Sequence, residues 1–283
     1  MSGPNRKKDI NWYPGHMAKT MRLISAEIKN VDAVVEILDA RIPESSQNPN
    51  LKKLALRKPK FFVLNKADLA QDNITDSWVS YFKNRGLGAV SLNSKNNLNH
   101  KHLSNALNDF IADNVRKKTN EKPRLMFVGV PNVGKSTIIN MLIGQNIAKV
   151  ENRPGVTRGK QWLSAESFEL LDMPGVLWEK FDNLRCAYNL AYTGAIKDDV
   201  FDVEEVAYSL INELMDIDPE CIKERIDYNE DEIQNNFEII ERYSLQRGFL
   251  LKGGIPDTEK GSRAILNDLR AGRFGRISLE VPK

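Results

Sequence analysis

The stretch Leu125–Thr137, LMFVGVPNVGKST, constrains this chain more than any other. Four apolar residues, Leu125 to Val128, read as a buried strand that stops at Gly129. The P-loop pattern Gly129-x-x-x-x-Gly134-Lys135-Ser136 follows, and Thr137 to Ile143 reads as a helix. Glycines let the backbone wrap closely enough for its N–H groups to face phosphate oxygens, at a helix N-terminus whose dipole favours anions. Asn132, Val133 and Gly134 line that wrap and Thr137 closes it. Lys135 places an ammonium between the outer phosphates, and the Ser136 hydroxyl helps hold Mg²⁺. A glycine turn before an ordinary helix is the bland alternative.

At 283 residues the chain has room for about two domains and a full core. No apolar run approaches a membrane span, and the N-terminal MSGPNRKKDINW lacks the apolar stretch of a signal peptide. Cys186 and Cys221 are the only cysteines, so neither a disulfide framework nor a cysteine zinc site is implied. A cytoplasmic protein is expected, with no membrane and no DNA partner. The net charge of +3 hides an asymmetry: residues 197–241 carry 16 acidic and 3 basic side chains, whereas residues 1–64 carry 12 basic and 6 acidic. Basic ends suit an RNA backbone; solvated basic faces are the alternative.

The motifs fall in an unusual order. Val31–Leu38 reads as a strand, followed by Asp39-Ala40-Arg41-Ile42-Pro43, which reads equally as a ligand loop or as an ion pair and turn. A second strand, Phe61–Leu64, leads into Asn65-Lys66-Ala67-Asp68, the guanine-reading pattern of GTPases. The Asp68 carboxylate accepts both the ring N1–H and the 2-amino group, Asn65 supports the loop, and the Lys66 stem lies along the base; adenine leaves that carboxylate unpaired. A helix is expected over Thr75–Asn84. Strand Gly88–Leu92 then leads to Asn93-Ser94-Lys95, where a backbone N–H meets guanine O6. A helix over Asn99–Val115 precedes the P-loop. His100 and His102 read as loop residues without a role.

After the P-loop, Arg153–Gly159 reads as a switch loop, with Thr157 reaching Mg²⁺ and the γ-phosphate. Strands at Gln161–Ser164 and Ser167–Leu171 deliver Asp172-Met173-Pro174-Gly175, the Mg²⁺-side acid and the γ-phosphate-sensing glycine. Ordinary GTPases run P-loop, switch threonine, D-x-x-G, N-K-x-D and O6 loop. Here the last two come first. The fold expected is α/β, a circularly permuted P-loop GTPase domain with a mainly parallel sheet over residues 1–180, followed by an all-α domain over 181–283. Helices are expected near Asn183–Ile196, Val203–Met215, Pro219–Arg225, Glu230–Gln246 and Thr258–Ala271. The glycine- and cation-rich end, Arg270-Ala271-Gly272-Arg273-Phe274-Gly275-Arg276, suits RNA backbone and stacking contacts, or else a plain helical lid.

Taken together, W-Y-P-G-H-M-A-K at 12–19, D-A-R-I-P at 39–43, N-K-A-D at 65–68, G-V-P-N-V-G-K-S-T at 129–137, P-G-V-T at 154–157 and D-M-P-G-V at 172–176 carry a resemblance across the whole chain. The chain resembles the circularly permuted GTPases of ribosome assembly, most closely the ribosome biogenesis GTPase A, or YlqF-type, family. The resemblance implies GTP hydrolysis coupled to late maturation of the large ribosomal subunit, with the subunit precursor, its rRNA and its proteins as partners and GTP, GDP and Mg²⁺ as ligands. It implies a catalytic role for His16, beside Lys135 and Thr157, although His16 by itself reads first as a turn residue. Asn132 matches a K⁺ ligand of K⁺-stimulated relatives. Val176 stands where many GTPases carry the water-orienting Gln, so slow intrinsic turnover is expected. A GTP-controlled RNA tether, in which hydrolysis is only a timer, is the alternative; a P-loop ATPase is disfavoured by Asp68.

Overall fold

The computed structural model describes residues 15–96, 99–116, 121–144, 161–179, 181, 183–229, 231 and 233–283, without the side chains of residues 15, 16 and 161. Its sheet is built from β1 (Ala33–Asp39), β2 (Lys60–Asn65), β3 (Gly88–Leu92), β4 (Arg124–Gly129), β5 (Gln161–Ser164) and β6 (Glu169–Asp172), in the order β3-β2-β1-β4-β6-β5. All neighbours are parallel except β5, which runs antiparallel to β6 at the edge. β1 is central, with Val35 opposite both Phe61 and Phe127. Its sequence, AVVEILD, is buried at every position, as a parallel strand covered on both faces requires.

Helices α1 (Gly15–Glu27), α2 (Pro49–Leu54), α3 (Asp72–Lys83), α4 (Asn99–Asn114) and α5 (Lys135–Ile143) accompany the strands. On one face α3 lays Trp78 and Phe82 over β2, with the Phe62 and Phe82 rings stacked 4.5 Å apart. The larger apolar cluster on the other face takes in Ile24 of α1 and Leu103 and Leu107 of α4. It continues unbroken through Trp178 into α6 (Leu184–Tyr192), α7 (Val203–Ile217), α9 (Phe237–Gln246) and α10 (Thr258–Arg270), with α8 (Pro219–Lys223) beside α7. Carboxylate and amide caps start these helices: the Asn183 side chain accepts from Arg185 N, Asp202 from Glu204 N and Glu205 N, and Asp257 from Lys260 N.

Several expected boundaries move. The helix expected over Glu230–Gln246 begins only at Phe237, because the asparagines before it bond to nearby backbone instead. Asn229 Oδ1 accepts from Asp231 N and Asn235 Oδ1 from Phe237 N. α3 begins three residues earlier than expected, at Asp72, and the expected strand Ser167–Leu171 is displaced to Glu169–Asp172. His100 and His102 lie in the first turn of α4, not in a loop.

The chain end does not continue the helical array. After α10 it returns to the sheet, where Ile277 N donates to Leu69 O (3.0 Å) and Leu279 N to Arg41 O (2.9 Å). The Glu280 carboxylate accepts from Glu44 N (2.7 Å), Ser45 N (3.1 Å), the Ser45 hydroxyl and Asn189 Nδ2 (3.0 Å). It therefore pins the loop after β1 to α6. This return also disposes of the expected aromatic RNA contact: Phe274 is 3 % exposed and belongs to the core.

One carboxylate interrupts the apolar core of β1. Glu36 is buried and accepts from Asn48 N at 2.9 Å. Burial pushes its pKa up to about 7, against the Asn48 bond and the attraction of Lys60. A carboxyl raised on folding binds more protons in the native state, so its stabilising share is complete below pH ~4.5 and is lost as pH rises through ~7. Glu36→Gln keeps an oxygen for Asn48 and cannot ionise. Urea midpoints should place the variant level with the parent near pH 4.5 and above it at pH 8, by roughly 2–3 kcal/mol.

Candidate guanine-nucleotide site

Four loops leave the carboxyl ends of parallel strands on one edge of the sheet, the edge where α/β sheets hold ligands. Asn65-Lys66-Ala67-Asp68 follows β2, Asn93-Ser94 follows β3, the P-loop follows β4, and Asp172–Gly175 follows β6. Sequence separation is erased by the sheet order.

Asn65, 1 % exposed, ties three of these loops together. Its Oδ1 accepts from Ser94 N (3.1 Å), and its Nδ2 donates to Val133 O (2.8 Å). The Asn65–Asp68 loop, the Asn93–Ser94 loop and the P-loop are thus fixed to one another by a single amide. Gly134 shows how close they lie: it sits at φ +93°, and a Cβ there would collide with Asn65 Nδ2. Gly129 is equally enclosed, since a Cβ would stand 2.8 Å from Ile37 O.

α5 starts at Lys135, directly after the left-handed Gly134, and has no acidic residue in its first turn. Its N-terminal N–H groups have no carbonyl partner within the helix, and Ser136 and Thr137 are half-buried beside them, an arrangement that suits an anion. Lys135 is 6 % exposed and its ammonium contacts the Asp172 carboxylate, itself 1 % exposed. Burial lowers the Lys135 pKa and the Asp172 charge opposes that shift. Neither charge is tolerable at that depth without the other. Ser136 and Asp172 offer the hydroxyl and carboxylate oxygens that suit Mg²⁺. Gly175 packs against Pro131 of the P-loop, where a Cβ would stand 3.0 Å from Pro131 Cα. Val176 is fully buried and its N–H donates to Gly129 O (3.2 Å).

The D-A-R motif is an ion pair after all, and it also touches the site. Asp39 accepts from Arg41 Nε (2.9 Å) and Nη2 (2.8 Å), and Lys66 Nζ lies 3.0 Å from Asp39 Oδ2. Burial acts to raise the Asp39 pKa, but the two cations outweigh it and hold the carboxyl far below the usual range. Lys66 is therefore anchored by the carboxyl end of β1.

Asn132, at φ +59°, donates Nδ2 to Gly194 O (2.7 Å), beyond the end of α6. No sequence motif signals this contact, which spans 62 residues. His16 is the second residue of α1, its side chain lying outside the described residues, as does Thr157 with the whole expected switch loop. Asp68 is half-buried in a short 3₁₀ turn, Ala67–Leu69.

Residues 124–241 match the 50S ribosome-binding GTPase family. The ribosome biogenesis GTPase A of Bacillus cereus is 40 % identical over 281 residues, covering 97 % of this chain and 94 % of the relative. The chain belongs to the ribosome biogenesis GTPase A family. The Thermotoga maritima member is 32 % identical, with 97 % of this chain and 95 % of the relative covered. The crystal structure of GNP-bound YlqF from T. maritima superimposes with a TM-score of 0.71 at 28 % identity, over 94 % of this chain and 99 % of that one. Membership accounts for the permuted order of the motifs and for guanine nucleotide as the ligand.

Asn65→Ala would orphan Ser94 N and Val133 O in a buried setting, at about 1–3 kcal/mol for each unsatisfied group. The variant should lose stability in urea titration and bind a fluorescent GDP analogue at least about tenfold more weakly. Parent-like affinity in a destabilised variant would mean that the three loops hold together without this side chain.

Proposed function

We propose that this protein hydrolyses GTP to time late maturation of the large (50S) ribosomal subunit, in the cytoplasm. The GTP form binds the subunit precursor through its rRNA and proteins, and subunit-stimulated hydrolysis releases it. The observation that carries the reading is the Asn65 junction, which joins a guanine-reading loop to a P-loop in a chain whose relatives are named ribosome biogenesis GTPases.

Asp68 reads N1–H and the 2-amino group while the Asn93–Ser94 loop faces O6, the Ser94 N–H itself being held by Asn65. Lys135 exchanges Asp172 for the outer phosphates, and the backbone N–H groups from Val133 to Thr137 hold their oxygens. Asp172, Ser136 and Thr157 would hold Mg²⁺, which would neutralise phosphate charge. Asn132 has its nitrogen committed to Gly194, so its oxygen is the end that suits K⁺. Thr157 and Gly175 order around the γ-phosphate.

Val176 cannot orient water, being apolar and buried, so intrinsic turnover is slow and His16 supplies the missing function on the subunit. Residues 1–180 act as the GTPase domain, and residues 181–283 as the helical region that docks on RNA.

GTP turnover should be low alone and rise strongly with purified large subunits, more in K⁺ than in Na⁺. Lys135→Ala should lose nucleotide binding. His16→Ala should keep GTP affinity and lose the stimulation; equal stimulation in that variant would remove His16 from catalysis.

A further inference from the structure

The base-reading loop is held in place by the end of the chain. Lys66 opens it at φ +59°, a left-handed conformation that a lysine keeps only when its surroundings enforce it. The carbonyls of Ala67, Asp68 and Leu69 are all met by residues more than two hundred positions away. Arg276 donates Nη2 to Ala67 O (3.4 Å) and Nε to Asp68 O (3.3 Å), while its Nη1 pairs with the Asp72 carboxylate. Ile277 N donates to Leu69 O at 3.0 Å. Gly272, at φ +74°, lies so close that a Cβ would stand 2.7 Å from Leu69 Cδ2. From behind, Arg41 donates Nη1 to Leu269 O (3.1 Å) while its other nitrogens hold Asp39 against Lys66.

We infer that the segment Leu269–Ile277 positions Asp68 for guanine, with Arg276 as the residue that sets the loop. The inference rests on Asp68 as the base reader. A carboxylate that accepts two bonds from one purine edge must lie in the plane of that edge. The three-residue turn carrying Asp68 has no side-chain cap of its own at its start. Arg276 closes its carbonyls with a rigid planar fork, which also ties the turn to α3 through Asp72. Each arginine of this segment has an intramolecular partner: Arg270 pairs with Asp198, Arg273 with Asp268, and Arg276 with this loop and Asp72, the last two arginines staying partly exposed.

The test compares GDP with inosine diphosphate, which lacks the 2-amino group and so reports one of the two Asp68 bonds. In the full-length parent, GDP should bind about tenfold or more tightly than inosine diphosphate. Arg276→Ala should shrink that ratio by about three- to tenfold, with GDP dissociating correspondingly faster and the melting temperature nearly unchanged. Arg276→Lys, which keeps the charge but not the fork, should fall between. A GDP/IDP ratio equal to the parent's in Arg276→Ala, or an equal loss for both nucleotides, would overturn the inference. Asp68→Ala separates the two layers: it should abolish the ratio, and a ratio that survives it would overturn the base-reader assignment itself.

Discussion

Everything at the nucleotide edge depends on the side chain of Asn65. A parallel sheet brings strand ends to one edge, but it does not fix the loops beyond them relative to one another. One buried amide does that here, taking a bond from the O6 loop and giving one to the P-loop. An amide is suited to the task because it carries a donor and an acceptor in one plane. A carboxylate would lack the donor and a hydroxyl the reach. The glycine at 134 is the steric counterpart of that junction, since any side chain there would displace it.

Around that junction the structure stores charge in pairs. Lys135 and Asp172 are buried and neutralise each other; Asp39 is shared between Arg41 and Lys66. The two clusters differ in kind. The first lies at the start of α5, where the proposed function has both partners exchange for phosphate and Mg²⁺. The second is enclosed by strand, loop and the α10 carbonyl of Leu269, so it is a permanent brace.

The permuted order has a structural consequence. The D-x-x-G segment feeds directly into the helical half, and Asn132 of the P-loop is bonded to Gly194 just beyond α6. The chain then returns to the base-reading loop at its other end. The C-terminal half therefore meets the P-loop through Gly194 and the Asn65–Asp68 loop through Arg276 and Ile277.

Much of this was legible in the sequence because the motifs are local. A glycine-bounded phosphate loop, an apolar strand running into N-K-A-D, and D-x-x-G after another strand each require only neighbouring residues, and their order announces the permutation. Helix ends failed where asparagines compete for backbone, as before α9. The cation-rich end read either as an RNA surface or as a plain helical lid, and sequence alone cannot show that its arginines pair with Asp198, Asp268 and Asp72, or that Phe274 is buried. Nor could it choose between a ligand loop and an ion pair for Asp39 and Arg41, since the further partners that enclose the pair, Lys66 and the Leu269 carbonyl, are distant in sequence. The sequence by itself determined which chemistry each loop carries, because that resides in residue type and short spacing. Only the tertiary structure decided which loops brace which, because those bonds are set by packing between segments that the chain keeps far apart.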